Sequence, residues 1–225
     1  MYYVYAFVGL LIAAPTDSDE KDKFTIPFRA LPATAAIAAV CVGSWFIFKS
    51  YMGMSLLMRV EDERNRAFPT QFAVERGFKV DPNHQRRVLR ENIGMLKRSI
   101  AYFPYSGETR HMLGDTYLRL SKMENAPYLL SYAIKQFERA AELSPLSPDI
   151  FQSLATAYWV VGRETEKPEL FERALEAELR ASENFPVNPE YHAKLRQIYL
   201  SLGMREKALE EEKLERELRK HWKKF

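Results

Sequence analysis

Four histidines, one cysteine and a large set of glutamates carry most of the reactive chemistry in this 225-residue chain. The histidines are His84, His111, His192 and His221. None combines with another histidine or a carboxylate at helical spacing into the ligand set that a metal needs. His111 and His192 are expected on exposed helix faces. The single cysteine, Cys41, excludes an internal disulfide framework and a cysteine metal cluster. There is no glycine-rich phosphate loop and no nucleophile elbow. The glutamates crowd the last stretch as a solvated helix face, not as an acid–base pair. No catalytic, cofactor or metal residue is therefore assigned, and the chain is not expected to be an enzyme by itself. A net charge of +3 is too small to argue for a nucleic-acid partner, and 47% hydrophobic content suits one or two compact units.

What orders the chain is a repeat. Displaced by 41 residues, Leu113 falls on Leu154 and then Leu195, and Tyr117 on Tyr158 and then Tyr199. Ala133 falls on Ala174, Ala140 on Ala181, Gly162 on Gly203, and Pro127 on Pro168. Pro104, Pro145 and Pro186 close successive units, and proline ends a helix because the residue before it avoids the α region. A fixed period in this range means one supersecondary unit stacked on copies of itself. Within a unit, Leu154, Ala155 and Tyr158 share one helix face, and Ala133, Phe137 and Ala140 share another. The alanines let helices approach, while leucine and tyrosine fill the space between them.

These residues resemble the tetratricopeptide repeat family. Leu113-Gly114-Tyr117 and Ala133-Phe137-Ala140-Pro145 match its pattern. The second unit gives Leu154-Ala155-Tyr158 and Ala174-Glu178-Ala181-Pro186, with Glu178 in place of the aromatic. The third gives Leu195-Arg196-Tyr199-Gly203-Ala208. The resemblance implies an all-α solenoid of about three helix pairs. The family's unit is about 34 residues, so each of the first two units carries about seven more. They lie between the paired helices, over Ser121–Ser131 and Arg163–Glu172, and Pro127 and Pro168 place them in the starts of the second helices. Ala174 to Ala208 returns to 34 residues.

The N-terminal part is of another kind. Residues 2–14 are uncharged and mostly large and apolar, too short to span a bilayer alone and without the positive flank of a signal peptide. A charged loop fills 15–32. Residues 33–58 are apolar apart from Lys49 and long enough to cross, with Trp45, Phe46, Phe48 and Tyr51 clustered near one end. The expectation is a transmembrane helix or a helical hairpin, anchoring residues 1–58 in the bilayer. Lys21, Lys23 and Arg29 on one side against Arg59, Arg64, Arg66 and Arg76 on the other leave its orientation undecided.

Residues 59–81 form a juxtamembrane connector that begins as a helix extension. Asp81-Pro82 has the form of an N-cap followed by proline at the first helical position. Asn92, Leu96 and Ser99 then repeat the Ala-Phe-Ala spacing, so Pro82–Tyr102 is taken as the second helix of a degenerate leading repeat. The solenoid is expected to fill 82–225 and to end in a charged capping helix, with Glu212–Arg216 and Glu215–Arg219 paired along it.

In the tetratricopeptide family, ligands contact the first helix of each unit on the face opposite its packing residues. The resemblance implies a protein-binding groove at His111, Asp115, Leu118 and Arg119, then Gln152, Thr156 and Trp159, then Lys194, Gln197 and Ser201. Trp159, expected to be exposed, suits a binding hot spot. A second resemblance lies in the order of the pieces. A segment of the type Phe7-Val8-Gly9-Leu10-Leu11, a charged loop, a last membrane helix and then repeats is similar to the C-terminal end of bacterial O-antigen ligase-like proteins. It covers about the first hundred residues, and the glycosyl-transferring segments of that family have no counterpart here. It implies a bacterial inner-membrane location with the repeats on the periplasmic side. The function expected is a membrane-anchored scaffold for complex assembly. An accessory part of a glycan-assembly system and a structural subunit of a large membrane complex are the alternatives.

Overall fold

The structure, a computed structural model, describes residues 33–68 and 81–222. The segment 2–14, the loop 15–32, the connector from 69 to 80 and the last three residues lie outside the described residues. Eight helices, and no strand, are present among the described residues: α1 (Ala33–Ala67), α2 (Pro82–Tyr102), α3 (Gly107–Glu124), α4 (Tyr128–Leu143), α5 (Pro148–Thr165), α6 (Pro168–Asn184), α7 (Pro189–Ser201) and α8 (Arg205–Trp222). The chain divides into two compact units, Met1–Tyr51 and Met52–Phe225.

In the first unit the described element is the N-terminal part of α1, where Trp45, Phe46, Ile47, Phe48 and Tyr51 are all exposed. Trp45 stacks on Phe48, and the Lys49 ammonium lies 5.5 Å from the Trp45 ring. Ala39–Ala67 is long and apolar enough to cross a membrane.

The second unit is a row of antiparallel helix pairs. α3 packs on α4, α5 on α6 and α7 on α8, and each pair packs on the next. Prolines stand at the first turns of α2, α5, α6 and α7, where no intrahelical N–H is lost. Asp81, Ser106 and Asn188 cap α2, α3 and α7 by accepting backbone N–H bonds. The repeat-defining residues are the core. Ala133, Phe137, Ala140, Ala155, Ala174 and Ala181 are sealed from solvent, and Leu113, Leu154 and Leu195 nearly so. The Tyr158 phenol donates to the Glu138 carboxylate on the preceding unit's second helix, tying α5 to α4.

The leading pair is also formed. Asn92, Leu96 and Ser99 of α2 are buried. Its partner is α1, which continues past the apolar run to Ala67 and places Leu57 and Val60 in one core with Leu89, Met95 and Leu96.

The extra residues of the first two units are not placed as the sequence suggested. α3 and α5 are each 18 residues long against 13 for α7, so most of the added length extends the first helices. α4 and α6 start only slightly earlier, relative to Ala133 and Ala174, than α8 does relative to Ala208. The reason is local. Lys122-Met123-Glu124 and Arg163-Glu164 are sound helix formers, and the chain first turns at Asn125 and Glu166, both left-handed (φ 51° and 54°). Asparagine tolerates that conformation, whereas glutamate is strained there. Glu166→Gly is therefore expected to raise the thermal midpoint, by about 0.5–1 kcal/mol of stability, in a melting curve followed by circular dichroism.

The last helix, α8, is mostly solvated. Glu212–Arg216 (2.6 Å) and Glu215–Arg219 (2.9 Å) are paired along α8; Ala208 is buried, while Leu209 and Leu214 are exposed. Arg196–Glu215 and Glu190–Arg219 add ion pairs to α7 at 3.4 and 2.9 Å.

Candidate protein-docking face

The first helices α3, α5 and α7 lie side by side, and their contacts recur at one repeat plus one residue. His111 Nε2 bonds Ser153 Oγ at 2.8 Å, the Trp159 indole N–H donates to Ser201 Oγ at 3.0 Å, and the Tyr191 phenol donates to Asp149 at 3.4 Å. Each pair is 42 residues apart, so neighbouring units lean on one another with the same geometry.

The residues carried over from the family pattern fall on this side unequally. Gln197 and Arg119 are exposed, while Asp115, Gln152, Thr156, Trp159 and Lys194 are half-buried. Asp115 accepts from the Arg119 guanidinium at 2.7 Å, which itself lies 5.6 Å from the Phe68 ring. Leu118 is corrected: it is buried in the core and presents nothing to a ligand. Trp159 is also not the free indole expected. Its N–H is engaged, and the Lys194 ammonium and Arg163 guanidinium lie 4.6 and 5.0 Å from its ring. Such cation–π contacts hold the ring in one orientation.

The histidines depart from expectation as well. His111 is partly buried, its ring 5.7 Å from Phe137, and burial lowers its pKa despite the opposing fields of Asp115 and Asp149. His192 is only 12% exposed and bridges two helices, with Nδ1 2.7 Å from Glu211 and Nε2 3.0 Å from the Pro186 carbonyl. Both are structural fasteners between helices. Among the described residues no cluster of histidine, cysteine and carboxylates could hold a metal.

Behind Lys194 stands a residue whose role the sequence did not disclose. Glu178 of α6 has no exposed surface, and neither carboxylate oxygen finds a hydrogen-bond partner. Burial pushes its carboxyl up to about 8, against the opposing pull of the Lys194 ammonium. Lys194 is in turn held below its ordinary value by burial. Lys122 of α3 and Arg163 of α5 add their positive fields to Lys194, so the Trp159 neighbourhood is cationic across three units. A cavity of about 570 Å³ opens elsewhere, between Glu138 and Glu142 of α4 and Arg180 and Glu183 of α6. It touches none of the residues named for the docking face.

The fold defines a class: it is an all-α solenoid of stacked helix pairs, tetratricopeptide-like in arrangement. Solved structures similar to it include a crystal structure of MamA, at TM-score 0.52 and 18% identity over 64% of this chain and 82% of that one. A second MamA crystal structure gives TM-score 0.52 and 16% identity over 81% of this chain and 96% of that one. MamA 41-end from Desulfovibrio magneticus RS-1 gives 0.50 and 17% over 63% and 77%. At these identities the likeness shows the fold alone. No protein-family model matches the sequence, and no curated protein matches it.

Proposed function

We propose that the chain is a membrane-anchored tetratricopeptide-repeat scaffold that docks a protein partner on the α3, α5 and α7 face. The observation that carries this reading is the composition of that face around Trp159. A large aromatic ring is held by Lys194, Arg163 and Ser201 with part of its surface open, and polar Thr156 and Gln197 stand on the same helices. Oriented aromatics with cations beside them are what binding hot spots are made of. The apolar stretch within Ala39–Ala67 supports the anchor. Function then follows from geometry: holding two partners at one membrane surface raises their effective concentration.

The test is a gentle-detergent pull-down of the intact chain, read by mass spectrometry. Trp159→Ala is expected to weaken retention of the partner by about 2 kcal/mol or more while helical circular dichroism stays unchanged. Trp159→Phe, which keeps a ring between the two cations, should retain most of the binding. Equal retention by all three chains would remove the docking face from the reading. Stoichiometric polytopic membrane subunits, indifferent to Trp159, would instead favour a structural subunit or an accessory of a glycan-assembling enzyme.

A further inference from the structure

We propose that the turn joining α2 to α3, Phe103-Pro104-Tyr105, rests in the headgroup layer of the lipid bilayer. The inference builds on the reading of α1 as a membrane span, and it gives the solenoid a lipid contact of its own.

The argument begins at Gly53. A Cβ built there would stand 3.4 Å from the Phe103 Cβ and 3.6 Å from both the Tyr102 Cβ and the Ser99 carbonyl. The Ser99 hydroxyl donates to the Gly53 carbonyl at 2.8 Å, in a buried bond. The C-terminal end of α2 is therefore fixed against α1 at Gly53 by close approach and by a hydrogen bond. Even a Cβ at this position would already be in van der Waals contact with Phe103, so the two backbones run close together here.

Gly53 lies within the apolar run, and the first charge after that run is Arg59. At about 1.5 Å per residue, Gly53 lies roughly 9 Å to the membrane side of Arg59. The run from 33 to 58 would extend about 39 Å as helix, against about 30 Å of hydrocarbon. The excess is roughly six residues, the length from Gly53 to Met58. Lys49, one turn earlier, would reach the same boundary along its aliphatic stem. Both considerations put the hydrocarbon edge within a turn of Gly53, and the Phe103 turn stands beside it.

The turn's chemistry suits that depth. Phe103 and Tyr105 are exposed, and so are Met54 and Met58 on the adjoining stretch of α1. Aromatic rings with one polar edge concentrate at this layer. The Arg110 guanidinium donates to the Pro104 carbonyl at 3.4 Å, which would place it to meet lipid phosphates if the turn lies at that depth. The equivalent turn of the next unit, Ser144-Pro145-Leu146, also exposes an apolar residue. It has no such hold on α1, and it serves as the control.

The experiment uses the full chain with Cys41→Ser and a single new cysteine at Met54, Tyr105 or Leu146. Each is labelled with an environment-sensitive fluorophore and reconstituted into phosphatidylcholine vesicles doped with headgroup-nitroxide lipid. Quenching at Tyr105 close to that at Met54, and several-fold above that at Leu146, is the expected result. Quenching at Met54 with Tyr105 no higher than Leu146 overturns the inference and leaves the anchor standing. No quenching at Met54 removes the anchor and the inference with it. Equal quenching at all three positions also overturns the assignment to this turn.

Discussion

Raising the pH from about 5 to about 8 is expected to destabilise the protein, and Glu178→Gln is expected to remove most of that loss. The Glu178 carboxyl ionises near its ordinary 4.5 in the unfolded chain but near 8 in the folded one, because burial disfavours its charge. Between those values the folded state holds a proton that the unfolded state has released, so stability falls as pH rises. The contribution is fully present below about 4.5 and is lost as pH passes through about 8. At its limit the loss is on the order of 5 kcal/mol, and the attraction of Lys194 is already counted within it. For a chain of this size that corresponds to roughly 10–20 °C in melting temperature. Glutamine keeps the shape and gives up the charge. Melting curves at constant ionic strength should therefore coincide for the two chains near pH 5 and diverge toward pH 8, with Glu178→Gln the more stable. Parallel curves across the range would show that Glu178 is not the group responsible.

The architecture could be inferred from sequence because it rests on local, periodic signals. Leu113, Tyr117, Ala133 and Ala140 recur at a fixed spacing, and the structure buries most of their counterparts. Asp81-Pro82 announced the start of α2, and the pairs along α8 were set by spacing alone. The length of each helix was a different matter. Where α3 ends depends on whether Asn125 takes a left-handed conformation, a choice worth about 1 kcal/mol that the flanking prolines do not decide. The continuation of α1 was expected as a helix extension, but charge masked its packing role. Arg59, Glu61, Asp62 and Arg66 occupy the outer face of a helix whose Leu57, Val60 and Ala67 point inward.

The candidate site was legible as a list of positions and not as an arrangement. Helical spacing put Trp159 and Gln197 on first helices, but partners 42 residues away cannot be read from one helix. The Trp159–Ser201 and His111–Ser153 bonds exist only once units are stacked, and the His192–Glu211 pair only once α8 folds back on α7. Leu118 went wrong for the same reason, since its burial in the common core is set by packing between helices and not by its place on one of them. Glu178 carried a signal that could have been used. It stands where the first unit has Phe137, and a carboxylate at a core aromatic position must either find a partner or become neutral.

Gly114→Ala is expected to destabilise the first full unit even though alanine is the better helix former. The added Cβ would stand 2.6, 2.7 and 3.0 Å from three ring carbons of Phe137. That ring cannot withdraw, because it has no exposed surface and packs against the His111 ring. Overpacking of this kind costs about 1–3 kcal/mol or more, against roughly 1 kcal/mol gained in helix propensity. A net loss of about 1–2 kcal/mol should appear as a melting temperature lowered by several degrees. Phe137→Leu in the same chain should recover part of it, giving a coupling energy of about 1 kcal/mol in the double-mutant cycle; strict additivity would mean that the two positions do not meet. The second unit shows the same pair in its other state. Ala155 occupies the position of Gly114, and the shorter, neutral-when-buried Glu178 occupies that of Phe137. Glu178→Phe alone should therefore fail for want of room. Ala155→Gly combined with Glu178→Phe should rebuild the packing of the first unit, and should abolish the pH dependence together with the carboxylate that causes it.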